Sequence, residues 1–337
     1  MIREAIDAVV RGNDLSQEEA AQTMGEIMEG EATPAQIAAF ITALRIKGET
    51  VDEITGMART MRDKSLKVST DGLLVDTAGT GGDGQNTINV STTAAIVAAA
   101  AGVRMAKHGN RAASSVSGSA DVLEALGIKV DLSPEGVKRC LEEVGIGFMF
   151  AQVFHPAMRH AGGPRREIGI RTVFNILGPL TNPAGVQAQV LGVAGPQIGE
   201  KMARALQALG TEHALVVHGE DGMDELSITS PTTVWELRNG EVRSYTTTPE
   251  GAGLTRASLD DIRGGTAEEN AQTARNTLSG TTGPTTDVVL LNAAAALLVG
   301  GKAADLKEGV TLARQVIESG AATDKLETFA SLSQQLN

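Results

Sequence analysis

The stretch Asp76–Gly84 reads DTAGTGGDG, four glycines with two aspartates and two threonines. Glycine at this density lets backbone N–H groups come close to an anion and adopt positive φ. Gly79, Gly81 and Gly84 also spell G-x-G-x-x-G, which opens a dinucleotide fold when an acid follows the second strand about 20 residues on. That acid is missing. Residues 84–120 contain no Asp or Glu, and the second expected strand ends in Lys107-His108. The next helix also opens late, after Asn89-Val-Ser-Thr92. The pattern therefore points to a phosphate cradle, with a purely structural glycine turn as the plainer alternative. Ser91 and Thr92 stand where that helix begins, beside free N–H groups and the positive end of its dipole. Their hydroxyls suit helix capping, phosphate or a metal.

A second loop, Lys107–Ser115 (KHGNRAASS), repeats this logic with more charge. Lys107 offers a compact ammonium to phosphate and Arg111 a guanidinium. Ser114, Ser115, Ser117 and Ser119 lead into the following helix. Two strand–loop–helix units in succession place both loops on the carboxyl edge of one sheet, where open α/β folds bind ligands. A polyphosphate needs a cation, and Asp224-Glu225 within Gly222–Ser227 (GMDELS) is a loop carboxylate pair suited to Mg²⁺. A solvated acidic loop would look the same. Arg159, Arg165, Arg166 and Arg171 surround Gly162-Gly163-Pro164, and arginine is shaped for a planar carboxylate. His108 and His155 could be acid–base groups or merely hydrogen-bonded loop histidines.

The elements that must position these residues divide the chain. Residues 1–70 read as helices only: Ile2, Ile6, Val9 and Val10 form one stripe, Ser16 with Glu19 is a capping box, and Thr33-Pro34 is an N-cap followed by proline at the first helical position. From Leu73 onward strands alternate with helices. The expected strands are Leu73–Asp76, Val103–Ala106, Ile128–Val130, Phe148–Phe150, Ala188–Val193, Ala214–Val217 and Val288–Leu290, with a hairpin at Asn239-Gly240. Residues 249–285 read as loop plus one helix. The fold class is α/β: a small all-helical domain over 1–70 plus a large α/β domain over 71–337 with a mainly parallel central sheet. The 337 residues suit that division.

Composition narrows the function. The net charge of −12 argues against nucleic acid as a partner. The lone Cys140 permits no internal disulfide, which fits a cytoplasmic protein. No apolar run is long enough to span a membrane, and the N-terminus lacks the apolar core of a signal peptide. Aromatics are only 2 %, against 39 glycines, so the core must rest on close backbone approach.

Taken together, Asp76–Gly84, Asn89–Thr92 (NVST), Lys107–Ser115, Ser117–Leu126, Arg171–Pro183 (RTVFNILGPLTNP) and Gly222–Ser227 resemble the anthranilate phosphoribosyltransferases, in the family's order and over almost the whole chain. The resemblance implies the fold shared with pyrimidine nucleoside phosphorylases, a later helical excursion at about residues 164–184, and a homodimer formed through the helical domain. It implies a magnesium-dependent glycosyltransferase of tryptophan biosynthesis that moves the 5-phosphoribosyl group from phosphoribosyl diphosphate to the amine of anthranilate. Carried over, Gly79, Gly82, Asp83, Thr87, Asn89, Val90, Ser91, Thr92, Lys107, His108 and Ser119 would contact phosphoribosyl diphosphate. Gly109, Asn110, Arg111, Ala112, Ala113, Ser114 and Ser115 would wrap it. Gly79, Asn110 and Arg165 would handle anthranilate, and Ser91, Asp224 and Glu225 would organise Mg²⁺. Two other functions share the architecture. A pyrimidine nucleoside phosphorylase would need a Lys-x-Ser-Gly-Arg-Gly type segment, which is absent. A non-catalytic relative would be expected to have lost metal or phosphate residues, which are present.

Overall fold

A computed structural model describes residues 1–112 and 116–337. The expected loop residues Ala113, Ser114 and Ser115 lie outside the described residues. The chain opens with α1 (Ile2–Val10), α2 (Gln17–Glu29), α3 (Pro34–Lys47) and α4 (Val51–Asp63). Capping boxes at Ser16–Glu19, Thr33–Gln36 and Thr50–Glu53 start the last three of these. Each box satisfies N–H groups that a helix end would otherwise leave open.

The sheet region begins with β1 (Val75–Gly79), α5 (Val90–Ala100), β2 (Met105–Gly109), α6 (Ser119–Ala125), α7 (Pro134–Glu143) and β3 (Ile146–Phe150). An excursion of α8 (Ala151–Phe154), α9 (Arg159–Ile168) and α10 (Val173–Leu177) precedes β4 (Ala188–Gly192). Then come α11 (Gly199–Ala208), β5 (His213–Gly219), β6 (Thr232–Arg238) and β7 (Glu241–Thr247). Four helices finish the chain: α12 (Ala267–Leu278), α13 (Pro284–Val299), α14 (Leu306–Glu318) and α15 (Ala321–Gln334).

The seven strands run in the order β3-β2-β1-β4-β5-β6-β7. The first five are parallel, and β6 and β7 add an antiparallel edge through the expected hairpin. The chain leaves β1 toward β2 on one side and reaches β4 on the other. The crevice beyond the carboxyl ends of β1 and β4 is therefore a topological switch point.

Both sheet faces are covered, so β5 is apolar without alternation. Leu215 and Val217 face a core built with α5, α13, α14 and α15, while Ala214 and Val216 face the other core. That second core joins α1–α4 to Ala161 of α9, to Val173, Phe174 and Leu177 of α10, and to α11. Arg62 of α4 adds a polar tie, donating through Nε to Leu180 O at 2.6 Å and through Nη1 to Leu209 O at 3.3 Å.

Two expected strands are not strands. Val288–Leu290 lies inside α13, whose residues from Val288 to Val299 are all buried. A helix buried all round has no apolar stripe, so its sequence cannot be told from a buried strand by period. Ile128–Val130 is a buried connection; Lys129 N donates to Ser333 Oγ at 3.0 Å instead of to a neighbouring strand. β1 and β2 also start later than expected and run on through Gly79 and Gly109.

Candidate active site

Every described residue that the family resemblance assigns to the site lines one cavity of about 370 Å³ at the switch point; His155, Arg159 and Arg166 do not. Its floor depends on two glycines. Gly79 ends β1 and Gly192 ends β4, and the two are paired in register. A Cβ on Gly79 would collide with Asp224 Oδ2, and one on Gly192 would collide with the Asp224 carbonyl oxygen. Only glycine at both positions lets the 222–227 loop descend onto the strand ends. Asp224 then accepts from Gly81 N–H at 2.7 Å, and Glu225 accepts from Ser91 N–H at 3.3 Å. The carboxylate pair, the glycine loop and the start of α5 are thereby tied together across more than a hundred residues of chain.

The two carboxylates keep some surface open to the cavity yet sit deep among protein atoms. Burial pushes the Asp224 carboxyl up to about 6 and the Glu225 carboxyl up to about 8, with neighbouring carboxylates as further causes. Such a pair favours a cation. Among the described residues no three His, Cys, Asp or Glu side chains converge on one point. A cation here would draw its remaining ligands from hydroxyl, water or ligand oxygens, as Mg²⁺ commonly does beside phosphates.

Lys107, only 3 % exposed, reaches under β1. Its Nζ donates to Thr77 O at 2.5 Å and lies 3.4 Å from both Thr77 Oγ1 and Ser91 Oγ. Burial lowers its pKa, while Asp76 and Glu225 oppose that shift. Asp76 is fully buried on the other side of the strand pair. It accepts from His108 N–H at 3.1 Å and from Asn182 Nδ2 at 2.8 Å, and burial pushes its carboxyl up to about 6. Asp76 and Asn182 stand out in the sequence only as parts of longer motifs; nothing in the spacing shows that they meet.

The remaining residues take their places around this centre. Asn89 accepts from Asn270 Nδ2 at 2.8 Å, a partner 181 positions away with no sequence signal. Asn110 O accepts from Ala120 N–H and from Ser119 Oγ, both at 3.2 Å, closing the second loop onto α6. Arg111 turns outward: its guanidinium pairs with Asp121 and Glu124 and lies 5.5 Å over the Phe150 ring. Arg165 stacks over Phe174 at 5.1 Å. Of the four clustered arginines, Arg165 and Arg171 line the cavity and Arg159 and Arg166 do not. A second depression of about 490 Å³, between β6–β7 and the start of α14, has neither a glycine loop nor a carboxylate pair.

The rings of His108 and His155 lie 5.0 Å apart, tilted by 52°, and the Nε2 atom of each is buried without a hydrogen-bond partner among the described residues. Burial, first of several causes, lowers His108 to about 3 and His155 to about 4. The unfolded chain takes up these protons near pH 6.5 and the folded chain does not. The native state therefore binds fewer protons than the unfolded state between roughly pH 6.5 and 4, and this pair makes stability fall as pH drops through that window. Melting curves from pH 7.5 to 4.5 should show a smaller loss for the His108→Gln/His155→Gln double variant than for wild type. Parallel curves would remove the assignment.

Comparison with known proteins agrees with this geometry. Residues 71–323 match the model of a glycosyl transferase family a/b domain, and residues 3–65 match that family's helical bundle domain. An anthranilate phosphoribosyltransferase from Dehalococcoides mccartyi is 57 % identical over 338 aligned residues, covering 100 % of this chain and 99 % of the relative. The chain belongs to the anthranilate phosphoribosyltransferases. The crystal structure of the Thermus thermophilus member superimposes with a TM-score of 0.93 at 49 % identity, covering 98 % of this chain and 99 % of that one. The Saccharomyces cerevisiae member in complex with PRPP and Mg gives 0.92 at 29 % identity, covering 99 % of this chain and 98 % of that one. Another structure of the yeast protein holds 4-fluoroanthranilate.

Proposed function

We infer that this enzyme transfers the 5-phosphoribosyl group from phosphoribosyl diphosphate to the amine of anthranilate, releasing diphosphate, in tryptophan biosynthesis. The observation that carries this reading is the convergence of the glycine loop, Lys107 and the Asp224-Glu225 pair on one cavity in a chain of this family. The amine lone pair forms the new N–C1 bond, the C1–O electron pair leaves with diphosphate, and the amine proton passes to water. An aromatic amine is already neutral at pH 7, so no strong base is needed. The work left to the protein is to align two substrates and offset charge on the leaving group.

Mg²⁺ is the cofactor, and Ser91, Asp224 and Glu225 are the residues proposed to hold it. When bound it would supply positive charge to the departing diphosphate. Gly79, Gly82, Asp83, Thr87, Asn89, Val90, Thr92, Lys107, His108 and Ser119 are the proposed contacts of phosphoribosyl diphosphate, with Gly109–Ala112 beside them. Gly79, Asn110 and Arg165 are assigned to anthranilate. Arg111 is assigned to holding its loop through Asp121 and Glu124. The assay that tests the function is anthranilate fluorescence: it should fall only when phosphoribosyl diphosphate and Mg²⁺ are both added. Phosphorolysis of thymidine without phosphoribosyl diphosphate would instead select the nucleoside phosphorylase reading.

The proposed domain division is 1–70, with an excursion at about 164–184, against 71–337. The family-model matches support it, as does the shared core of α1–α4 with α9 and α10. A homodimer through the helical domain would cover Val10 and Ile46, which are 69 % and 83 % exposed. Sedimentation should show a dimer that Val10→Glu with Ile46→Glu dissociates; a monomeric wild type would end this reading. Among the described residues no helix is long and apolar enough to cross a membrane. The buried lone Cys140 supports a cytoplasmic location, which fractionation with a tagged chain would check.

A further inference from the structure

Arg171 stands between α9 and α10, where the helical excursion meets the glycine loop. Its Nη2 donates to Thr80 O at 3.0 Å. Its Nη1 lies against Gly82, so close that a Cβ there would collide with it. Gly82 has φ +71°, a conformation glycine adopts freely, so the loop backbone can pass under the guanidinium. The guanidinium is half-buried and feels the charges of Asp224 and Asp83, yet it forms no ion pair with a carboxylate among the described residues. Arginine carries five N–H donors, and Thr80 O engages one of its nitrogens. The phosphoribosyl-transfer roles assigned to the other residues leave the remaining donors without a task.

The position selects the ligand. Arg165, a little earlier in the chain, lies over Phe174, on the aromatic side of the cavity. Arg171 lies instead beside Thr80, Gly82 and the Asp224 loop, where the glycine loop and the metal carboxylates meet. A planar guanidinium offers a two-pronged match to phosphate oxygens. We propose that Arg171 is a further cation of the diphosphate end of the site, donating to oxygens of the departing diphosphate while it holds the glycine loop through Thr80. The proposal rests on the phosphoribosyl-transfer reading. It adds to the metal a fixed protein charge that is in place before substrate arrives.

The test is calorimetric titration of inorganic diphosphate in the presence of Mg²⁺, beside Michaelis constants for both substrates. Arg171→Gln should weaken diphosphate binding about 10- to 100-fold, the usual range for a lost charge-assisted hydrogen-bond pair. Arg171→Lys should recover part of it, because charge remains without the fork. Arg165→Ala should leave diphosphate affinity within about twofold while raising the Michaelis constant for anthranilate about tenfold or more. Unchanged diphosphate affinity in both Arg171 variants would overturn the proposal and leave Arg171 a loop strut. A rise confined to the anthranilate constant would overturn it by moving Arg171 to the acceptor side. A wild type that binds no magnesium diphosphate would overturn the phosphoribosyl reading itself, and this proposal with it.

Discussion

Replacing Asp224 with Asn and Glu225 with Gln is expected to lower turnover about 10²- to 10³-fold while raising the melting temperature of the metal-free protein. The loss follows from removing the charges that hold a cation against the leaving group, since one electrostatic contact of this kind typically contributes that much to rate. The gain follows from burial. Both carboxyls are pushed well above their ordinary range, so ionising them opposes folding. The amide oxygens of Asn and Gln can still accept from Gly81 and Ser91, so the loops stay tied. Steady-state kinetics across a magnesium titration and thermal unfolding without metal read the two effects separately. Retention of activity within about threefold would exclude the pair from the metal site. A fall in both activity and stability would mean that the carboxylates are structural.

Lys107→Ala is expected to lower turnover more than stability. The ammonium is almost fully buried and feels the charges of Asp76 and Glu225, but it forms no ion pair with either, and burial lowers its pKa, so holding it charged opposes folding. The substitution should therefore cost less than the ~3–5 kcal/mol of a broken buried ion pair. It also removes the one lysine that lines the cavity among the described residues. Turnover should fall about 10²-fold or more, with a raised Michaelis constant for phosphoribosyl diphosphate. Lys107→Arg should not restore it, because a forked head does not fit the space between Thr77 and Ser91 that an ammonium fills. Denaturant unfolding and initial rates measure the two consequences. A destabilisation as large as that of a broken buried ion pair would show that Lys107 is the required counter-charge of Asp76 or Glu225.

The same contrast separates what was legible in the sequence from what was not. The glycine loop, the basic second loop and the Asp224-Glu225 pair could be read because each is local: its chemistry depends on residue types within about ten positions. The absence of acid from residues 84–120 was enough to turn a dinucleotide pattern into a phosphate cradle. The Ser16–Glu19 capping box and the Asn239-Gly240 hairpin were legible for the same reason. The strand expected at Val288–Leu290 failed because a helix buried on every side carries no period.

The sequence by itself therefore determined which groups this protein brings to its chemistry: glycine N–H donors, one lysine, a carboxylate pair and arginines near a Gly-Gly-Pro. Tertiary structure decided how they are charged and where they point. Asp76 meets Asn182, Asn89 meets Asn270, and Gly79 makes room for Asp224 only because strands distant in the chain lie side by side. It sent Arg111 outward to Asp121 and Glu124 and brought Arg171 inward over Gly82. The physical reason is burial. A side chain's type is written in the chain, but its protonation and its partners depend on how much water the fold removes from around it and on which groups the fold leaves in water's place.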